Sequence, residues 1–189
     1  SDVCISYYTD AINPTFECYM DGVATSCTSN TGCTNNHSNN AQYGLTRVTN
    51  AAGSHAFSVR VTSRATGVPA SDLATRNWTV DRTNPTLSIS SISPGSLNGG
   101  IYYTSSLSPV VYITASEAVT ITTTVDAGAS STCNVTTTAG TVACTVELGA
   151  VGAHTVTFDS TDLAGNTSVQ ISTTITGDQT APTLAITTN

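Results

Sequence analysis

From residue 86 onward, apolar and hydroxyl-bearing positions alternate in short runs separated by turn residues. Residues 86–92 set Leu and Ile against Ser and Thr, 109–115 carry Val, Tyr and Ile, and 118–125 alternate Val and Ile with Thr. Further runs cover 101–104, 132–137, 141–146, 153–159 and 167–176. Successive side chains of a strand point to opposite faces, so a period of two marks a half-buried strand. Threonine beside Val and Ile suits such a surface better than a helix. The breaks are turn-rich: 93–100, 126–129, Ala139-Gly140 and Asp162-Leu163-Ala164-Gly165-Asn166. The pattern predicts a strand A at 86–92, an edge piece at 101–104, strands B and C at 109–115 and 118–125, and a hairpin between 132–137 and 141–146. Strands F and G follow at 153–159 and 167–176. Seven or more short strands with no helical period predict an all-β antiparallel sandwich.

One stretch organises the rest. Asp81-Arg82-Thr83-Asn84-Pro85-Thr86-Leu87-Ser88-Ile89 returns as Asp178-Gln179-Thr180-Ala181-Pro182-Thr183-Leu184-Ala185-Ile186, 97 residues later. A period of this size marks tandem copies of one domain. Each copy reads as a linker, closed by a Pro that cannot donate a hydrogen bond, followed by the first strand of the next domain. The first half repeats the second piece by piece. Gly53-Ser54-His55 aligns with Gly152-Ala153-His154, Trp78 falls where Ile175 does, 16–21 matches the strand ending at Asp126, and Cys27 matches Cys133. Residues 3–8 then form strand B with no strand A before it, and 181–188 form a strand A with no domain after it. The expected division is a disulfide-rich domain 1 at 1–82 lacking strand A, domain 2 at 83–178, and 179–189 as strand A of a following repeat or a donor strand. With no signal peptide, the chain reads as a mature form or an excised piece.

Composition narrows the partners. Only 9% of the 189 residues are charged, and the net charge is −7. The five positive charges are Arg47, Arg60, Arg64, Arg76 and Arg82; beyond them the chain carries only acidic residues. Such a balance is a poor match for nucleic acid or an anionic membrane. No apolar run is long enough to insert into a bilayer. Six cysteines in a chain this polar point to disulfides and an oxidising compartment, and the absence of Cys-x-x-Cys makes zinc the weaker reading. Cys133 and Cys144 flank the expected 132–146 hairpin, where a bridge closes a short loop.

The residues Phe16-Glu17-Cys18-x-x-Asp21-Gly22 followed by Cys27, then Gly53-Ser54-His55-x-Phe57-x-Val59-Arg60, then Trp78-Thr79-Val80-Asp81-x-Thr83-x-Pro85, resemble a common bacterial immunoglobulin-like repeat. Thr114-Ala115-Ser116-Glu117-Ala118-Val119, Gly152-x-His154-Thr155-Val156-Thr157 and Asp162-Leu163-Ala164-Gly165-Asn166 resemble a sister repeat. The resemblance covers nearly the whole chain. It implies two tandem immunoglobulin-like sandwiches in an extended arrangement, from a secreted or surface-anchored adhesin-type protein. The first half departs from the pattern: it has a polar insertion at 30–40, Ser63-Arg64-Ala65-Thr66-Gly67 in place of the Asp-x-Ala-Gly-Asn loop, and four cysteines. The resemblance implies Cys18–Cys27, which leaves Cys4–Cys33 to pin the insertion. The residues alone leave Cys4–Cys18 with Cys27–Cys33 open. The resemblance also implies Ca²⁺ at a domain junction, with Glu117, Asp162 and Asp178 as ligands; hard carboxylate oxygens suit that ion. The competing reading of Asp162 and Asn166 is that they only cap the turn.

His55 and His154 hold equivalent places, which argues for structure over catalysis, and no Gly-x-Ser-x-Gly elbow exists. The chain is expected not to be an enzyme. Without lysine, a Lys–Asn isopeptide crosslink is excluded. Tyr102, Tyr103 and Tyr112 are candidates for an edge cluster that doubles as a carbohydrate platform. The leading functional expectation is a stalk or fibre segment of an extracellular bacterial surface protein. Its partners are neighbouring repeats or other copies head-to-tail. A second expectation is a module binding a glycan or a ligand on a host or prey cell through Asn35, Asn36, His37 and Asn39, since loops on a rigid sandwich carry recognition. A third is a fibre subunit assembled by β-strand donation from 181–188.

Overall fold

A computed structural model describes residues 3–9, 15–27, 42–48, 51–62, 70–129, 131–136 and 138–186. No helix occurs among these residues, and none is long and apolar enough to cross a membrane. The chain divides into two compact units, Ser1–Asp81 and Arg82–Asn189.

The second unit holds two sheets. In one, β7 (Leu87–Ser93) and β13 (Gly140–Thr145) flank β10 (Val110–Ala115), all antiparallel. The other runs β12 (Ser131–Val135), β11 (Val119–Val125), β14 (Gly152–Asp162), β15 (Ile171–Gly177), β9 (Ile101–Thr104) and β8 (Ser96–Asn98). Read as A-B-E against C′-C-F-G, this is the strand order of an immunoglobulin-like sandwich. The period-two pattern explains the packing. Val111, Ile113 and Ala115 from the first sheet meet Ile121, Val156, Phe158 and Ile175 from the second, and all are buried. Polar positions between them face outward: Tyr112 is exposed, as are Thr120 and Thr155.

Four expectations change here. Residues 132–137 and 141–146 do not form a hairpin. β12 pairs with β11 in one sheet, and β13 pairs with β10 in the other. The chain crosses between sheets because Thr136 turns inward: its N–H donates to Val119 O at 2.8 Å, and its Oγ1 accepts from Val119 N at 2.9 Å. The break at 93–100 contains a strand, β8, which turns into β9 through Gly99 and Gly100, both at positive φ, as a tight hairpin requires. The sandwich is also not wholly antiparallel, since β9 runs parallel to β15. The last strand opens at Ile171 rather than 167. Ser168 before it is tied to Ser160 in both directions, donating from N and accepting at Oγ, each at 2.9 Å.

The first unit follows the same order with fewer strands. β1 (Val3–Thr9) pairs antiparallel with β4 (Gln42–Val48). A second sheet runs β3 (Val23–Thr25), β2 (Thr15–Met20), β5 (Gly53–Thr62) and β6 (Ala74–Val80). These correspond to B-E against C′-C-F-G. Cys18, Phe57 and Val59 are buried, with Ile5, Tyr7, Phe16, Met20 and Trp78 packed on them. The Tyr7 ring sits edge-on to Phe16 at 5.0 Å and stacks on Phe57 at 5.7 Å, while its hydroxyl donates to Cys27 O. No strand A equivalent occurs among the described residues of this unit.

Candidate functional site

The most specific arrangement of polar groups occurs twice. At the end of β2 the backbone enters the left-handed region at Asp21 (φ 51°), and at the end of β11 it does so at Asp126 (φ 50°). Asp tolerates this conformation better than most residues. The turn brings each Asp beside the start of the neighbouring strand. Asp21 N donates to Ala56 O, and Asp126 N to Thr155 O, both at 2.8 Å. Asp21 Oδ1 accepts from Ala56 N at 2.8 Å, and Asp126 Oδ1 from Thr155 N at 2.8 Å. The second carboxylate oxygen faces a histidine ring: Asp21 Oδ2 lies 2.9 Å from His55 Nδ1, and Asp126 Oδ2 lies 2.6 Å from His154 Nδ1.

The other ring nitrogen is engaged as well. His55 Nε2 lies 2.9 Å from Ala51 O, and His154 Nε2 lies 2.9 Å from Ala150 O. The carbonyl is reached because Gly53 and Gly152 take φ of 122° and 121°, values that side chains resist, and fold the preceding residues back over the ring. A carbonyl oxygen and an ionised carboxylate only accept hydrogen bonds, so both contacts of each ring are satisfied together only when the ring carries a proton on each nitrogen. The bond to Asp21, then that to Ala51, holds the His55 pKa above its ordinary value against a smaller desolvation cost. Asp126 does the same for His154, opposed by burial and helped by Ala150 O. In return His55 and the Ala56 amide hold Asp21 low, and His154 and the Thr155 amide hold Asp126 low. The rings are nearly covered while the carboxylates are about half exposed. Beside the first clasp lies an open depression lined by Ser54, Asn77, Trp78 and Thr79. Ser54 Oγ there pairs with Thr79 Oγ1 at 3.4 Å.

The cysteines crosslink both units. Cys18 and Cys27 are bonded with Cα atoms 5.3 Å apart, and Cys133 and Cys144 with Cα atoms 5.4 Å apart. The second bridge joins β12 to β13 and therefore ties one sheet of the sandwich to the other. Cys4 is disulfide-bonded too, whereas Cys33 lies outside the described residues. So do the recognition residues Asn35, Asn36, His37 and Asn39, and the loop at 63–67.

Two of the three expected calcium ligands lie together. Carboxylate oxygens of Glu117 and Asp162 lie within 4.8 Å of each other, and Asp178 does not belong to that group. Asp178 closes its own turn instead: its N–H donates to Thr104 O and its Oδ1 accepts from Thr180 N, both at 2.8 Å. Asp162 is nearly buried and committed to its loop. Its Oδ1 accepts from Ala164 N and Asn166 N at 2.8 Å, and its Oδ2 from Asn166 Nδ2 at 2.7 Å. Burial raises its pKa, and these bonds outweigh that and lower it. The tyrosines also part company: Tyr112 lies on β10 in one sheet, and Tyr102 and Tyr103 on β9 in the other.

Sequence reasoning aligned the two histidines and the two aspartates but did not pair them. The usable signal was the repetition of both: an Asp closing strand C and a Gly-x-His opening strand F, 34 residues apart in one unit and 28 in the other.

No family model matches the chain. No curated protein matches it either. Among solved structures, the fibronectin(III)-like modules of Clostridium thermocellum CbhA are similar to it, with a TM-score of 0.43 and 14% sequence identity over 93% of this chain and 85% of that one. A likeness of that size carries no argument, and the fold reading rests on strand order alone.

Proposed function

We propose that the two units are tandem immunoglobulin-like repeats acting as a structural segment, a stalk or fibre piece, of an extracellular bacterial surface protein of adhesin type. The observation that carries this reading is the clasp. Asp, His, amide and carbonyl recur at equivalent places in both units, at distances that differ by at most 0.3 Å. A catalytic or recognition group serves at one site, whereas a brace is needed in every repeat. The disulfide in each unit and the repeated linker motif support the same role, because crosslinks suit secreted domains with small cores. In this reading the chain supplies reach and resistance to proteolysis.

The test is limited proteolysis of the full chain, oxidised and reduced, alongside glycan-array and cell-surface binding. The binding assay compares the chain with a variant in which 30–40 is replaced by Gly and Ser. The expected result is disulfide-dependent protease resistance with no binding lost on loop replacement. Saturable binding that disappears with the loop would overturn the structural reading in favour of recognition.

A further inference from the structure

The clasp is repeated, but the side chains around it are not. In the first unit the register sets Ser54 against Thr79, His55 against Trp78 and Ala56 against Asn77. At the same places in the second unit Ala153 faces Thr176, His154 faces Ile175 and Thr155 faces Thr174. Trp78, Asn77 and Ser54 thus stand where Ile175, Thr174 and Ala153 do. Ile175 is fully buried, whereas Trp78 is only partly so, and Asn77 and Ser54 are exposed. The brace does not require these exchanges, since its bonds agree within 0.3 Å between the units.

The exchanged side chains gather at the depression beside the first clasp, whose volume is about 470 Å³. Small-molecule sites span about 300–1,000 Å³. The polar groups there have hydrogen-bonding capacity left. Asp21 is half exposed and accepts from Ala56 N at Oδ1 and from His55 at Oδ2, while an ionised carboxylate has about four acceptor sites. Ser54 Oγ and Thr79 Oγ1 are 3.4 Å apart, beyond the about 2.5–3.0 Å of a good hydroxyl bond, so both hydroxyls are loosely held. The exposed Asn77 amide offers two donors and an acceptor oxygen. Charge is balanced: Asp21 is paired with His55, and no Arg or Lys is among the lining residues. An anion meets no cation there, and a cation meets a carboxylate already paired. The Trp78 indole supplies an apolar wall. These groups fit a neutral molecule with a flat carbon face and several hydroxyls, which describes a pyranose ring.

We propose that this depression binds a neutral saccharide, with a pyranose ring against Trp78 and its hydroxyls bonded to Asp21, Asn77 and the Ser54–Thr79 pair. Ala153, Thr174 and Ile175 do not supply these groups in the second unit. The site adds recognition to a chain whose repeated parts are structural.

The experiment titrates the full chain with glucose, galactose, mannose and N-acetylglucosamine, each from micromolar to high millimolar concentration, and follows tryptophan emission and the amide NMR spectrum. Trp78 is the sole tryptophan, so its emission reads the depression. At least one of these sugars is expected to change the emission saturably and to shift the Asn77 side-chain amide and the Trp78 indole N–H. The Thr174 amide, at the counterpart of Asn77, is expected to stay in place. In Asn77→Ala the dissociation constant is expected to rise about tenfold, as the loss of one hydrogen bond gives. The thermal midpoint of that variant is expected to be unchanged, because the side chain is exposed. Ser54→Ala, which copies Ala153, is expected to weaken binding of the same sugar. No response to any of the sugars overturns the proposal, and so does binding that is equally tight in Asn77→Ala. Both failures leave the structural reading standing, whereas binding that vanishes when 30–40 is replaced overturns both.

Discussion

His154 Nδ1 lies 2.6 Å from Asp126 Oδ2, and the opposite ring nitrogen lies 2.9 Å from Ala150 O. The pair joins the end of β11 to the start of β14, two neighbouring strands of the larger sheet. A single neutral tautomer satisfies one of these contacts and leaves two acceptors facing each other at the other. The arrangement is therefore complete only when the ring is charged and the carboxylate ionised. His55 and Asp21 repeat it in the first unit, with the Trp78 ring 5.7 Å from the imidazole.

The stability of both units is accordingly expected to depend on pH in a definite direction. The histidine pKa is raised in the folded state, so its contribution is fully present below the ordinary 6.5 and is lost as pH rises through the raised value. The aspartate pKa is lowered, so its contribution is present above the ordinary 3.8 and is lost as pH falls through the lowered value. Between these limits the clasps contribute most. Thermal midpoints are expected to fall from pH 6 to pH 9, and the fall to flatten in a His55→Gln, His154→Gln chain. Trp78 is the sole tryptophan, so its emission reports the first clasp separately. A midpoint that rises across that range in the native chain would contradict the imidazolium assignment.

The strands were legible because alternation is a local property. The 101–104 edge piece is β9 residue for residue, and the alignment of Trp78 with Ile175 reappears in the pairings His55 with Trp78 and His154 with Ile175. What alternation does not encode is the neighbour. Residues 132–137 and 141–146 both read as strands, and the inward turn of Thr136 separates the observed strands 131–135 and 140–145 into opposite sheets. The Asp126–His154 pair was hidden for the same reason, since it depends on the pairing of β11 with β14 across 28 residues. Asp178 read as a ligand by its position in the repeat; in the structure its Oδ1 accepts from Thr180 N, two residues on.

Because the Cys133–Cys144 bridge ties β12 to β13 across the sandwich, its loss acts on the packing of the two sheets. The chain-entropy argument for a separation of 11 residues gives about 2–3 kcal/mol. A Cys133→Ala, Cys144→Ala chain is expected to unfold its second unit at a lower urea concentration by circular dichroism. The Trp78 transition, which belongs to the first unit, is expected to stay in place. A shift of the tryptophan transition instead would show that the bridge does not act where it lies.

Thr136 is buried, accepts the Val119 amide at 2.9 Å and donates to Glu117 O at 3.3 Å. Thr136→Val keeps the shape and leaves the Val119 N–H without its acceptor. Such an orphaned buried donor costs about 1–3 kcal/mol. The expected result is a lower urea midpoint with an unchanged slope, and faster exchange of the Val119 amide. Equal exchange in both chains would mean that the hydroxyl is not what holds the crossing between the sheets.

The two cores differ in size, and the same substitution separates them. Phe158 belongs to a cluster of twelve buried residues, whereas Phe57 shares its cluster with two, Cys18 and Val59, among the described residues. Truncating a buried Phe to Ala costs about 3–5 kcal/mol in either place. That loss is comparable to the whole stability of a small domain. Phe57→Ala is therefore expected to unfold the first unit at room temperature, seen as a red shift of Trp78 emission. Phe158→Ala is expected to leave the second unit folded with a lower midpoint. A folded first unit in Phe57→Ala would mean that its core is larger than Cys18, Phe57 and Val59 make it.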